Sequence, residues 1–359
     1  MARPGVPRRL PRLSGHYLAR RRADVAALVA LGAVLQVAAG IGLADVGGVR
    51  AVLHTCARVR PAWLCAMLGA VLISYVGYYL VYAELFRKGS GARLTSRQMR
   101  AVVAAGFGGY LAHGASALDV YALEGAGVDE RQARVRVASL GGLEHGVLAL
   151  GGCGAAITVL LLGFSAPPLS FSLPWAVIPV PGFLLAFFLA GRFGARLRQG
   201  SGWREPLSVF ADSISLIAGF FRRPLRHGAV LGGMALYWAA DFFAGWLGIA
   251  AFGLHVDGAA FVVAFATGMV FSRRTGPLAG AGVLTCTLTV CVWYSGAPFV
   301  PTLCGIFAYR FLTFWLPLPF SLASLPTLRA IGAWRTASAP GRARSAQGEP
   351  ALEGRSRPG

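Results

Sequence analysis

Acidic residues are scarce in this chain. Aspartate and glutamate together number 14 against 34 lysines and arginines, and charged residues of either sign make up only 13% of 359 positions. A solvated globular surface needs about twice that fraction, so a soluble domain is excluded. Histidine and cysteine are sparse too, at six each. Cys56, Cys65, Cys153, Cys286, Cys291 and Cys304 form no CxxC and no Cys/His metal spacing. Most lie in apolar runs, where cysteine behaves as a small hydrophobe. Neither a disulfide, nor a metal, nor any other cofactor is expected. A nucleophile elbow and a phosphate-binding glycine loop are also missing. With no spaced acid/base cluster either, an integral membrane enzyme acting on a lipid head is the weakest reading, and we expect no enzyme.

What the chain has in quantity is apolar surface: 56% hydrophobic residues, a mean hydropathy of +0.61 and 48 glycines. This is the composition of a polytopic membrane protein whose helices pack closely. The net charge of +20 sits mainly in the two tails and a few loops. That distribution follows the positive-inside rule and suits anionic lipid, rather than nucleic acid. Residues 1–22 read as a basic cytoplasmic tail, 23–328 as the membrane domain and 329–359 as a disordered basic cytoplasmic tail.

Apolar runs at Val25–Leu43, Ala62–Tyr82, Val137–Gly163, Pro174–Gly191, His227–Phe252 and Phe299–Leu325 predict spans. The second ends in Tyr75, Tyr78, Tyr79 and Tyr82, a pattern that suits a membrane interface. In the Arg192–Arg226 loop, Leu207, Phe210, Ile214, Ile217 and Phe221 recur every three or four residues. They predict an amphipathic helix over 205–223, lying in the interface or docked beneath the bundle.

Two Gly-rich segments break the pattern. Ala101–Tyr121 carries Gly106, Gly108, Gly109 and Gly114. Ala259–Tyr294 is interrupted by Arg273-Arg274, Thr275-Gly276-Pro277, Gly280 and Gly282. If the first crossed fully, the seven-arginine loop would fall outside. If it enters and returns to one side, every arginine-rich loop and both tails fall inside. The run Ala259–Phe271 rises only about 20 Å, short for a core of roughly 30 Å. The expected fold is therefore all-α, a polytopic bundle with two Gly-rich hairpin or re-entrant segments in an inverted repeat, the second either a hairpin with Arg273-Arg274 near mid-depth or two full spans with these arginines inside. Ala101-Val102-Val103-Ala104 and Phe261-Val262-Val263-Ala264 open the two hairpins alike. Paired interrupted segments of opposite topology point to a site at the repeat interface.

The pattern His113-Gly114-Ala115…Asp119…Leu123-Glu124-Gly125-Ala126-Gly127-Val128…Ala133, leading to Glu144, resembles a known motif. So does Gly276-Pro277…Gly280-Ala281-Gly282-Val283, followed by Gly296 and Tyr309-Arg310. Both are similar to motifs of the flippase-like transmembrane domain of lysylphosphatidylglycerol synthases, a domain that also occurs as stand-alone membrane proteins. The resemblance covers roughly Ala23 to Leu328. It implies handling or translocation of a charged lipid in the cell membrane, and no aminoacyl transfer, because only a short polar tail follows. Where the family's second motif has an acidic residue, this chain has Thr285.

Seven residues are candidates for a substrate site. Arg273 and Arg274 at a hairpin tip could bind a lipid phosphate bidentately, or could simply mark a cytoplasmic loop. Their depth decides: mid-depth supports a site. Arg310, about eleven residues into its helix, needs an acidic or phosphate partner, and Glu144 is the natural protein one. Asp241, near mid-span, could carry a coupling proton or bond a neighbouring helix. His113 and Asp119 belong to the first hairpin, as site residues or as a polar tip with a capping Asp. The partners expected are anionic membrane lipids. A non-transporting scaffold or accessory subunit of an envelope-lipid enzyme is the alternative to a transporter.

Overall fold

The computed structural model describes residues 22–88, 94–111, 114–162, 168–198, 202–270 and 276–337. Seven helical segments are long and apolar enough to cross a membrane, and no strand is present among the described residues. The chain is a multi-pass integral membrane protein with an all-α fold. Its outward faces are apolar, as a lipid solvent requires: Ile41 on the first helix and Phe188 on the fourth span are both about two-thirds exposed.

Helix α1 (Arg22–Gly47) is followed by a short surface helix α2 (Val49–Cys56) and by α3 (Pro61–Tyr82). A wider π turn carries α3 on to Lys88. The first hairpin is α4 (Ser96–Gly106) and α5 (Ser116–Gly125). The long α6 (Glu130–Leu162) comes next, then a span bent near Ile178 into α7 (Leu169–Val177) and α8 (Pro179–Arg198). The amphipathic α9 is Arg204–Arg222 and α10 is Gly228–Ala250. The second hairpin is α11 (Gly258–Gly268), a tight 3₁₀ turn Pro277–Gly280 and α12 (Val283–Tyr294). The last crossing is α13 (Phe299–Arg310), a π turn over Phe311–Trp315 and α14 (Pro317–Ala337).

Antiparallel α3 and α10 form the backbone of the bundle. The Arg60 N–H donates to the Ala251 carbonyl, so the start of α3 lies at the end of α10. Further along, Gly77 and Gly233 bring the two main chains into contact. A Cβ on Gly77 would lie 2.6 Å from both the Gly233 carbonyl oxygen and the Tyr237 nitrogen. Small residues at such crossings let dispersion act over the full helix length.

The hairpins enter from opposite ends. Gly125, at the close of α5, touches Ile331 near the far end of α14, whereas Gly109 in the break between α4 and α5 touches Phe314, midway along that last crossing. So the first hairpin goes in and comes back. The second opens after α10 and closes beside α13, where Trp293 meets Phe299, while its break reaches Leu35 in the middle of α1. Pro277–Tyr294 is long enough to span only if its irregular start is counted; the regular helix within it is 12 residues. Each hairpin opens on a side-chain cap, Thr95 with Gln98 on α4 and Asp257 on α11. Packing is exchanged between halves: α4 lies against α14, and α11 against α6.

Some expectations are corrected. The tyrosines of α3 are not an interface belt: Tyr78 and Tyr82 are fully buried, because α3 packs along α10 instead of ending at the lipid boundary. Helix α6 starts seven residues earlier than Val137, since the charged stretch from Glu130 is helical. The segment after 328 is not wholly a disordered tail. Helix α14 runs to Ala337 with Ile331 buried; residues 338–359 lie outside the described residues.

Helix α9 is also oriented differently from a soluble amphipathic helix. Its polar stripe faces the bundle, where Asp212 takes Arg131 of α6 at 2.7 Å and Arg198 of α8 at 3.5 Å. Leu207, Phe210 and Phe221 point outward. Apolar side chains turned out next to clustered arginines suit a lipid boundary, so α9 both docks on the bundle and presents an apolar face.

Overpacking a close helix crossing costs about 1–3 kcal/mol. Gly77→Val is therefore expected to lower the thermal midpoint of the detergent-purified protein, read by size-exclusion after heating. Gly69→Val on the same helix, with open space at its Cβ, is expected to leave the midpoint unchanged.

Candidate functional site

The two hairpin breaks meet inside the bundle. The Leu278 N–H in the second break donates to the Leu111 carbonyl in the first, at 2.9 Å. Backbone that leaves a helix at membrane depth must find such partners, because lipid supplies none. The second break is unusual in itself. Leu278 and Ala279 take left-handed φ of 50° and 53°, a conformation that costs a non-glycine residue about 1–2 kcal/mol. The surrounding contacts hold it there.

Arg310 is one of those contacts. It is the last residue of α13 before the π turn, and it is completely buried. Its Nη2 donates to the Ala279 carbonyl at 3.0 Å, its Nη1 reaches Thr313 Oγ1 at 3.4 Å, and its guanidinium lies 5.8 Å from the centre of the Phe314 ring. A fixed positive charge thus sits beside the meeting point of the two breaks.

Gln36 is the other contact, and sequence reasoning missed it. Its Oε1 accepts from the Gly282 N–H at 3.0 Å, and its amide exchanges hydrogen bonds with Thr285 at 2.9 and 3.0 Å. Gly282 has φ +74°, and a Cβ there would lie 2.7 Å from the Leu35 carbonyl, so only glycine lets the break come this close to α1. The signal that could have identified Gln36 is its isolation, as the one amide in the middle of a purely apolar span. Thr285 is the side chain bonded to that amide.

The buried carboxylates follow a reciprocal pattern. Glu144 on α6 accepts the Tyr78 hydroxyl of α3 at 3.3 Å, and its backbone carbonyl accepts the Trp238 indole at 2.7 Å. Asp241 on α10 accepts the Tyr309 hydroxyl of α13 at 2.9 Å. In one half the acid is on the late helix and the tyrosine on the early one; in the other half they are exchanged. Aromatic rings in edge, tilted and stacked contact run between the two pairs, through Tyr237, Trp238, Phe242 and Phe265. Among the described residues no ion pair joins Glu144 to Arg310, contrary to the pairing expected from their positions, because each is bonded to its own half. Asp119 is buried in the first turn of α5 but is not its cap; that position is Ala115. His113, Arg273 and Arg274 lie outside the described residues. The structure therefore places Arg310 at the second break, Asp241 against Tyr309 on the same helix as Arg310, and Glu144 against α3 and α10.

Two apolar grooves flank this centre between α3 and the last crossing. One, of about 720 Å³, is lined by residues including Gly40, Cys56, Leu64, Cys304, Phe307 and Phe311. The other, of about 520 Å³, lies among Leu72, Tyr75, Val103, Phe107 and Phe320, with the exposed Arg100 on its wall. Arg310 lines neither. No protein-family model matches the chain, and the comparison with curated proteins finds no match.

Two substitutions test the cradle. Gln36→Leu leaves the buried Gly282 N–H without its acceptor, a loss of about 1–3 kcal/mol. It is expected to lower the thermal midpoint and to expose the second break to proteolysis. Arg310→Met removes the donor to Ala279 and is expected to destabilise by a similar amount, with Arg310→Lys between it and the unaltered protein. Equal midpoints across the series would show that the guanidinium holds nothing in place.

Proposed function

We propose that this chain handles a charged lipid in the cell membrane, moving its head group between leaflets in the manner of a flippase. The observation that carries the reading is the buried Arg310 at the junction of two oppositely entering broken hairpins. A charged side chain buried at membrane depth is costly and is a functional candidate by default. Its present bond to the Ala279 carbonyl is the kind of contact a lipid phosphate would replace with a stronger, charge-assisted one. The flanking grooves, apolar and between helices, suit acyl chains. The resemblance to the flippase-like domain of lysylphosphatidylglycerol synthases supports the same class. The arginine-rich segments favour cytoplasmic termini and anionic lipid. No chemical transformation of the lipid is part of the proposal.

A second reading, a non-transporting scaffold for an envelope-lipid enzyme, is favoured by one fact. Arg310, Asp241 and Glu144 are enclosed by packed side chains and line neither groove. In the transport reading this is the closed arrangement. In the scaffold reading it is the only one.

Reconstitution into vesicles distinguishes the two. With fluorescent phosphatidylglycerol and an external quencher, the unaltered protein is expected to make the inner-leaflet label accessible. Arg310→Gln, if it folds, is expected to slow this at least about tenfold, the loss of roughly 1.4 kcal/mol of barrier stabilisation. No protein-dependent exchange of phosphatidylglycerol, cardiolipin or a polyprenyl phosphate would sink the transport reading.

A further inference from the structure

Two of the six cysteines are not isolated. Cys56 closes α2, and Cys304 lies on α13, 248 residues later in the chain. Their sulfurs are 3.7 Å apart, with the Cys56 thiol directed at Cys304. Cys56 is exposed and Cys304 buried. Both line the larger groove. We propose that Cys56 and Cys304 form a redox-active dithiol that closes to a disulfide, pinning α2 across the mouth of this groove.

The geometry allows closure with little disturbance. A disulfide needs its sulfurs at about 2.05 Å, so they must approach by somewhat under 2 Å. Helix α2 can make that move, because none of its residues is buried and its polar side contributes nothing to the core. Cys304 is held by α13, whose Gly305 packs against the backbone of Ile249. The mobile partner is thus the exposed one, which an oxidant can reach first.

The chemistry is thiol–disulfide exchange with a low-molecular-weight or protein disulfide as oxidant. The Cys56 thiolate attacks one sulfur of the oxidant and expels the other as a thiolate. The Cys304 thiolate then attacks the Cys56 sulfur and expels the remaining half. Two thiols lose two protons and two electrons, and the oxidant becomes two thiols. The start of α3 and the end of α10 share this end of the bundle, away from the arginine-rich α9 loop. In the orientation that the arginines favour, this end faces the oxidising side, where disulfides persist. The inference is independent of lipid transport, since it needs only the two sulfurs and an oxidant.

The test uses the full chain in detergent, treated with oxidised glutathione, alkylated with iodoacetamide and digested. Free thiols are expected to fall by two from six per chain, and mass spectrometry is expected to find the Cys56 peptide joined to the Cys304 peptide. Cys304→Ser is expected to abolish that link and leave Cys56 as a mixed disulfide with glutathione. Recovery of Cys56 and Cys304 both alkylated would overturn the proposal. So would equal pairing of Cys56 with Cys65, the other exposed cysteine of the groove. The unaltered protein alone gives a decision if the variant does not fold.

Discussion

The rule that governs this molecule is that lipid satisfies no backbone hydrogen bond. Two chain segments leave helical geometry inside the bundle, and each must find donors and acceptors there. The first break supplies the Leu111 carbonyl and the second the Leu278 N–H, so each break partly completes the other. The Ala279 carbonyl is met by Arg310 and the Gly282 N–H by Gln36. The buried arginine is therefore not an anomaly attached to an ordinary bundle. The irregular backbone and the charge depend on one another, and both depend on the close approach of α1.

Close approach is a second theme. Gly77 with Gly233, and Gly248 with Gly305, bring α10 against α3 and α13 at main-chain distance. These contacts fix α10 as the central element and place Asp241 next to Tyr309. The carboxyl–tyrosine pairs then arise as an exchanged motif between halves. A buried acid finds a donor in either case, but on opposite helices. The two halves share a plan of packing without sharing the placement of charge. Any function at their interface works on a site that is asymmetric, with its one described buried cation on the second half.

Much of the architecture was legible in the sequence for physical reasons. Span length and arginine placement are dictated by the bilayer, so the re-entrant course of Ala101–Tyr121 followed from charge arithmetic alone. The hairpin breaks were visible as glycine and proline. What was not legible was orientation about a helix axis. The Tyr75–Tyr82 cluster reads equally well as a lipid-boundary belt or as core, and only the neighbouring α10 decides. Likewise α9 turned its polar stripe to Arg131 and Arg198, a choice set by charges from distant sequence. Partner identity was hidden for the same reason: the tyrosine that meets Glu144 and the carbonyl that meets Arg310 are brought there by tertiary packing that no local pattern fixes. Gln36 carried its signal openly, as an isolated amide, but its partners are 246 and 249 residues away.

That separation has a bearing on how the protein is made. Chains are synthesised and inserted from the N-terminus, so α1 enters the bilayer with a polar amide facing lipid and no receptor for it. Gly282 and Thr285 are among the late arrivals. Until they emerge, Gln36 is a standing penalty of the kind that buried amides carry, and α1 lacks the partners that hold it in the bundle. Its docking is a closing step of assembly, in which a helix made before its partners is fastened only when they arrive.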